Sequence, residues 1–306
     1  MPTARIPAVA GSFYPSDPEV LGCMVDCLLK DARSSAGDTP RSAGWAHVVP
    51  HAGYAYSGST AAQAYSHIAA AACRGWSPAR VLILGPTHRV AIEGVARSGA
   101  SEFVTPLGPV EVDSEAEARL DSLPFVVTAP EVHELEHSIE VQIPFLQRVL
   151  PGVPIVPLAV GDASPEQVGA VIEAFAARGE PDEPGDPDEP SDSTLVLVST
   201  DLSHYLPYEQ AQEVDAVTLE AVRSLTLPVS PYQACGARPL NGLLHVARTR
   251  GSTAEVIAAC NSADTAGERR RVVGYAAVVF TDGSPSHDRV HERAAERAGG
   301  RAGEEP

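Results

Sequence analysis

The sequence predicts an α/β protein, a single domain with a mostly parallel, doubly wound sheet flanked by helices. Runs of apolar and often β-branched residues recur along the chain, and segments with helical periodicity separate them. Continuous apolar strands are typical of a parallel sheet that helices cover on both faces. The alternation of strand-like and helical segments is typical of doubly wound folds.

The predicted elements follow one another along most of the chain. The strand-like runs are WAHVVPH, ending at His51; RVLILGPTH, ending at His88; VPIVPLAVG; STLVLVSTDLSH, ending at His204; and the later EVIAACNSA and RRVVGYAAVVF. The predicted helices are 18–32, 58–72, 137–150, 164–179, 208–225 and 239–251. Ser164 and Gln167 predict a capping box at the start of the fourth helix.

The α/β domain is predicted to span residues 1–281. Within it, the stretch 180–193 has seven acidic residues, four prolines and no basic residue. Such a segment buries too little apolar surface to order itself, so we expect a disordered loop insertion there. Residues 282–306 are polar and glycine-rich, and we expect them to form a flexible tail.

The composition excludes several classes of protein. A formal net charge of −18 at pH 7 argues against nonspecific nucleic-acid binding, which depends on lysine and arginine neutralising phosphates. No apolar run reaches the roughly 20 residues of a membrane span, and the first residues lack the pattern of a signal peptide. We therefore expect a soluble, cytoplasmic protein without nucleic-acid or membrane partners. The sequence predicts no oligomeric state.

The cysteines are odd in number and dispersed: Cys23, Cys27, Cys73, Cys235 and Cys260. In a cytoplasmic chain this pattern is typical of free thiols and not of a disulfide framework. Cys23 and Cys27 are four residues apart on a predicted helix, and no second pair accompanies them. We expect them to pack in the core.

Ionisable residues follow three of the strand-like runs. His51 comes after HVVP, His88 after LILGPT, and Asp201 and His204 after LVLVST. In an open parallel sheet, ligands bind beyond the carboxyl ends of the strands, so we expect these side chains to converge. Each also has a simpler interpretation, as a histidine that bonds a turn or an aspartate that caps a helix. The same coincidence at three strand ends favours a common site.

Two further stretches add candidates to this site. In HELEHSIEVQ, His137 and Glu140 are three residues apart and can face one site on a helix, although capping and salt bridges explain this stretch equally well. In QACGARPLNG, Cys235 stands at a predicted helix N-terminus, which together with Arg238 favours a thiolate. Two imidazoles plus one anionic ligand suit a non-haem ferrous ion, and a thiolate also admits copper(I) and zinc.

A set of motifs resembles the Memo family. The motifs are, in chain order, RIPAVAGSFYP, VPHAGYAYSG, ILGPTHRV, ELEHSIEVQIPFL, VSTDLSHY and CGARPLNGLL, and the similarity spans about residues 4–281. This resemblance implies a fold similar to that of class III extradiol dioxygenases, the non-haem iron enzymes that cleave catecholic rings.

The resemblance also implies roles for individual residues. His51, His88 and Cys235 would be the metal ligands, and Asp201 and His204 a polar pair beside the metal. His204 would act as the acid/base catalyst. The expected substrate pocket contains His137, Tyr54 and Glu140.

These expectations lead to one function and several alternatives. The first is an iron(II)-dependent dioxygenase that takes dioxygen and a small aromatic substrate of the catechol or aminophenol type. The second is a non-enzymatic iron- or copper-binding redox module with a peptide- or ligand-binding cleft. Zinc-assisted hydrolysis is a third. A nucleophilic triad of Cys235, His204 and Asp201 is a fourth, but it leaves His51 and His88 without a role.

Overall fold

The computed structural model describes residues 3–35, 43–175 and 193–282. The acidic stretch 180–193 and the tail 282–306 lie outside these ranges except for Ser193 and Asp282, so both expectations stay predictions. The strands are β1 (Ala4–Arg5), β2 (Ala46–Val49), β3 (Arg80–Pro86), β4 (Val95–Arg97), β5 (Glu102–Thr105), β6 (Gly108–Glu111), β7 (Val126–Thr128), β8 (Ile155–Val160), β9 (Thr194–Ser199), β10 (His204–Leu206), β11 (Thr253–Asn261) and β12 (Val272–Thr281). The α-helices are α1 (Pro18–Ser35), α2 (Tyr54–Ala72), α3 (Ser114–Glu117), α4 (Pro130–Glu134), α5 (Ile143–Val149), α6 (Pro165–Glu173), α7 (Tyr208–Arg223) and α8 (Ala237–Arg250).

The central sheet has the strand order β10-β12-β2-β9-β3-β8-β4-β7. The ninth strand, β11, lies outside this order and pairs with β12. Its middle is parallel, because β9 runs parallel to both β2 and β3, and β3 runs parallel to β8. A small second sheet joins β1, β5 and β6. The predicted α/β architecture is therefore present, with a mixed sheet.

The two last predicted strands depart from the expected parallel arrangement. β11 and β12 are antiparallel to each other, and β12 is antiparallel to β2. Residues 262–271 are all that joins β11 to β12. A parallel connection needs a crossover of about a dozen residues or more, so this segment is too short for one. On the far side, β4 is also antiparallel to β8.

Helices cover both faces of the sheet, and each strand of its centre contributes to both cores. In β3, Ile83 packs in the cluster beneath α1, α2 and α5, whereas Leu82 and Leu84 pack in the cluster beneath α6 and α8. Gly242 lets α6 and α8 approach closely, since a Cβ there would lie 2.2 Å from Val168 Cγ1. Both faces of the parallel strands are buried, as the apolar runs predict.

The helices agree with the sequence in place but differ in their ends. α2 begins at Tyr54, before the predicted start, and the predicted helix 137–150 is a 3₁₀ turn over Glu140–Gln142 followed by α5. The capping box of Ser164 and Gln167 at α6 is confirmed. No helix in the described ranges is long and apolar enough to cross a membrane.

The core position expected for Cys23 and Cys27 is wrong. Both side chains are exposed on α1, because Leu21, Val25 and Leu29 form the buried stripe of that helix. Every cysteine is a free thiol.

Candidate metal centre

The strand-end residues meet in one cleft. His51 follows β2, His88 follows β3 and Asp201 follows β9. These strands are parallel neighbours, so their carboxyl ends lie side by side. The cleft has a volume of about 830 Å³, and His204 and Cys235 also line it.

Three imidazoles form a cluster in the wall of this cleft. Ligand nitrogens of His51, His88 and His137 all lie within 4.8 Å of one another. The ring centroids are 5.1 Å apart for His51 and His88, and 4.9 Å apart for His88 and His137. The sequence assigns His137 to the substrate pocket, and the structure also gives it a place beside the two expected metal ligands.

Hydrogen bonds fix the orientation of the His51 ring. Ser199 Oγ donates to the carbonyl of Ser138 at 2.6 Å and accepts from Gln142 Nε2 at 2.8 Å. Because its proton is used, Ser199 Oγ can only accept from His51 Nδ1, which lies 3.0 Å away. His51 Nδ1 therefore carries the proton, and its Nε2 presents a lone pair. Burial holds the pKa of His51 well below its usual value, so the ring is neutral.

A buried carboxylate orients His88. Glu136 Oε1 lies 2.8 Å from His88 Nδ1, and the same carboxylate accepts the backbone N–H groups of His88, His137 and Ser138. Burial acts to raise the pKa of Glu136, but these hydrogen bonds and the charge of His88 outweigh burial and hold the pKa well below its usual value. An ionised Glu136 accepts the Nδ1 proton and leaves Nε2 of His88 available to a metal, an arrangement common around metal-bound histidines.

His137 supplies an observation that favours a cation. Its Nδ1 is buried and lacks a hydrogen-bond partner, although Glu136 Oε1 is 3.4 Å away. Burial lowers the pKa of His137 to about 4, so the ring is neutral at pH 7. A buried nitrogen without a hydrogen-bond partner lowers the stability of the folded protein. Neutral imidazoles are common ligands of iron, copper and zinc, and the donor set here fits such an ion.

Cys235 adjoins the cluster through His51. Its Sγ lies 3.2 Å from His51 Nε2 and 3.8 Å from Thr200 Oγ1. The residue precedes Gly236, the N-cap of α8, as the sequence predicts. The expected thiolate is absent from the protein without metal, because burial, followed by the charge of Asp201, raises the pKa of Cys235 to about 12.

His204 is oriented as a proton acceptor. Its Nδ1 donates to the carbonyl of Leu202 at 2.8 Å, so Nε2 is unprotonated when the ring is neutral. Burial lowers the pKa of His204. The side chain lines the cleft, where Nε2 can take a proton from a bound hydroxyl.

Asp201 supports the backbone of the site. Its Oδ1 accepts the N–H of His51 at 2.7 Å, and burial raises the pKa of the carboxyl to about 7. Among the described residues, no hydrogen bond joins the side chains of Cys235 and His204. The chain Cys235–His204–Asp201 that a nucleophilic triad needs is therefore not formed. The nucleophilic alternative lacks its relay.

Tyr54 and Glu140, both expected in the pocket, lie behind its wall. The Tyr54 hydroxyl donates to the Val141 carbonyl at 2.7 Å. Glu140 is buried, pairs with Arg5 and accepts from the Tyr14 hydroxyl and the N–H groups of Ala8 and Val9. These contacts anchor the N-terminal segment, whose Ser12 and Phe13 line the cleft. The carboxylate of Glu140 is fully used there, so its role is structural.

The sequence interpretation gives no role at the site to three supporting residues, Glu136, Ser199 and Gln142. Each becomes important only through the partner that the fold brings to it. A signal exists for Glu136, since it stands directly before His137 in the same short stretch. Ser199 and Gln142 carry no signal of their own.

Comparison with known proteins identifies the family of the chain. A family described as Memo-like protein matches residues 5–279. The chain belongs to the Memo family. A Memo relative from Sulfolobus acidocaldarius is 34% identical over 297 residues, which cover 91% of this chain and 99% of the relative. One from Aquifex aeolicus is 32% identical over 285 residues, covering 90% and 98% respectively. Both are named MEMO1 family proteins.

The Memo match includes every residue of the candidate centre. His51, His88, His137, His204 and Cys235 all lie between the first and last matched residues. The centre thus belongs to the part of the chain that the Memo family shares.

Proposed function

We propose that the protein is a non-haem iron(II)-dependent dioxygenase that acts on a small electron-rich aromatic of the catechol or aminophenol type. The observation that carries this proposal is the convergence of the imidazoles of His51, His88 and His137 beside His204 in an open cleft. The motifs resemble the Memo family, and the fold that this resemblance implies, that of class III extradiol dioxygenases, favours oxygen chemistry.

His51, His88 and Cys235 would hold the ion. The donor atoms of His51 and Cys235, Nε2 and Sγ, are 3.2 Å apart, close enough for both to bind one cation. His88 faces His51 from the end of β3, with ring centroids 5.1 Å apart, and His137 stacks on His88 with ring centroids 4.9 Å apart. Iron(II) held there would supply the redox chemistry by which dioxygen reacts with an electron-rich ring. Copper and zinc suit the same donors.

His204 would be the general base. Its Nε2 takes the proton of the ring hydroxyl when the substrate binds, holds it, and returns it to the product later in the cycle. The Leu202 carbonyl keeps the ring in the tautomer that this task needs. Asp201 lines the cleft and would position the His51 ligand, because it holds the backbone of the His51 turn.

The ring of the substrate would lie against aromatic side chains. Phe13 packs on His137 with ring centroids 4.8 Å apart, and Tyr56 and Tyr275 line the same cleft. These rings exclude water from one side of the centre and orient a flat ligand.

Oxygen uptake by the iron-loaded protein tests the proposal. We expect uptake with catechol or 2-aminophenol, and we expect His204→Gln to lower kcat by about 10²–10⁴-fold with bound iron unchanged. His245→Gln, on α8 and outside the cleft, is the control. Iron-loaded protein that consumes no oxygen with any ring substrate would contradict the proposal.

A second candidate is a redox module that holds iron or copper without catalysis. The contact of the Cys235 thiol with His51 favours it, because a thiolate and imidazoles bind copper(I) well. Tight copper(I) binding in competition with a chelator, affinity for peptides and no oxygen uptake would support the module over the enzyme.

A further inference from the structure

Two arginines in the wall of the cleft lack an acidic partner. Arg89 directly follows His88, and Arg271 directly precedes β12. Several other surface arginines form ion pairs, as Arg148 does with Asp26 at 2.7 Å. Within residues 3–35, 43–175 and 193–282, no ion pair joins Arg89 or Arg271 to a carboxylate. Their charges are therefore available to a ligand.

A strained residue positions Arg271. Its guanidinium carbon lies 4.9 Å from the centroid of the Tyr205 ring. Tyr205 has a φ of 60°, in the left-handed region that residues other than glycine rarely adopt. Strain of this kind concentrates at functional sites. Tyr205 directly follows His204, so the Arg271 guanidinium packs on the residue next to the proposed base.

Arg89 stands beside the imidazole cluster. It directly follows His88 in the sequence, and it lines the cleft together with His88 and His137. The two arginines come from the β3 end and the β12 start, so they approach the cleft from different segments of the sheet.

The charge of the chain makes this pair unusual. With a net charge of −18, the protein repels anions in general. Two arginine side chains without ion pairs in one cleft reverse this effect locally and attract anions there. Glu268 lines the same cleft, and the structure gives it no ion pair with either arginine. A guanidinium binds a carboxylate through two parallel hydrogen bonds, which suits it to acids on an aromatic ring.

We propose that the cleft binds an aromatic carboxylate, whose carboxylate group is bound by Arg89 and Arg271 while its ring lies against Phe13 and the cleft tyrosines. This inference rests on the proposed function for the direction of the ring hydroxyls, toward His51 and His88. The recognition of the carboxylate itself requires no metal.

Calorimetry with two matched probes tests this inference. 3,4-Dihydroxybenzoate and catechol differ by the carboxylate alone, and each is titrated into metal-free and anaerobic iron-loaded protein. We expect the acid to bind at least about tenfold more tightly than catechol to both forms. Arg89→Gln with Arg271→Gln should reduce this preference to about threefold or less and leave catechol affinity unchanged. Arg248→Gln, an exposed arginine of α8 outside the cleft, should keep the full preference.

The outcomes separate this inference from the proposed function. Equal binding of the two probes, no binding of either, or a preference that survives the double variant would overturn the inference. A carboxylate preference without oxygen uptake would overturn the dioxygenase proposal alone. Oxygen uptake with catechol but no preference for the acid would overturn this inference alone. Circular dichroism establishes that the double variant is folded.

Discussion

The Nδ1 atom of His88 lies 2.8 Å from Oε1 of Glu136, and this pair controls the state of the centre. The same carboxylate accepts three backbone N–H groups, so the loop that carries His88 and the loop that carries His137 share one anion. A change at Glu136 should therefore affect both imidazoles.

We predict that Glu136→Gln weakens metal binding by about 10–100-fold, as is typical when the partner of a ligating histidine is lost. The amide keeps the size of the side chain but removes the charge that holds the Nδ1 proton. Metal titration with a competing chelator measures the change. Glu131→Gln, an exposed glutamate of α4, is the control, and equal affinities for the two variants would contradict the role of Glu136.

We predict that Ser199→Ala lowers the free energy of unfolding by about 2–4 kcal/mol. The change leaves the donors on Gln142 and His51 and the Ser138 carbonyl without the Ser199 hydroxyl in a fully buried site. Urea unfolding followed by circular dichroism measures the loss. Ser34→Ala, which removes an exposed hydroxyl of α1, should change stability by less than about 0.5 kcal/mol. A similar small effect at Ser199 would mean that water replaces the hydroxyl.

We predict that Cys235 is a metal ligand and that binding of a divalent ion releases its proton. The thiol is protonated before the metal arrives, because burial raises the pKa of Cys235, whereas the neutral His51 ring has no proton to lose from Nε2. Calorimetry in buffers of different ionisation enthalpy counts the protons released, and we expect about one in the wild type.

Two variants assign the third ligand. Cys235→Ser should abolish most of the proton release and weaken binding by at least about tenfold, whereas His137→Gln should change affinity by less than about threefold. The opposite result would assign the ion to the three-histidine cluster.

We predict a pH-dependent instability at Glu117. Burial, offset in part by Arg97, raises the pKa of this carboxyl to about 7, and its Oε1 has no hydrogen-bond partner. The folded state therefore favours the protonated acid. Stability from this group is present below the ordinary glutamate pKa and is lost as the pH rises through about 7.

Glu117→Gln should remove that loss. We expect little effect at pH 4 and a gain of about 1–2 kcal/mol at pH 8, measured by urea unfolding at both values. The exposed neighbour Glu115→Gln should have the same small effect at both pH values. A gain that is equal at pH 4 and pH 8 would contradict the titration.

Much of the fold can be predicted because apolar runs report burial directly. β3, β8 and β9 are buried on both faces, and their runs are continuous in the sequence. Strand direction leaves no such trace, so the antiparallel β11 and β12 resemble parallel strands in sequence. The shortest strands, such as β1 and β4, contain too few residues to show a period.

The candidate centre could be predicted where residues follow strand ends, and less well where they act through partners. His51, His88 and Asp201 are placed by the topology of the sheet. Glu140 has the same three-residue spacing from His137 that a pocket residue would have, but Arg5 and Tyr14 engage it in the core. Such pairings join segments more than a hundred residues apart, and one sequence does not reveal them.

His51 bonds through its backbone N–H to Asp201, through Nδ1 to Ser199 and through Nε2 to Cys235. These contacts close loops of 150, 148 and 184 residues. Contacts of such high sequence separation form slowly and late in folding. The order of events during folding follows from these separations. β2, β9 and α8 must dock before the centre exists, so a metal ion that binds this centre would enter a folded chain and would not nucleate its folding.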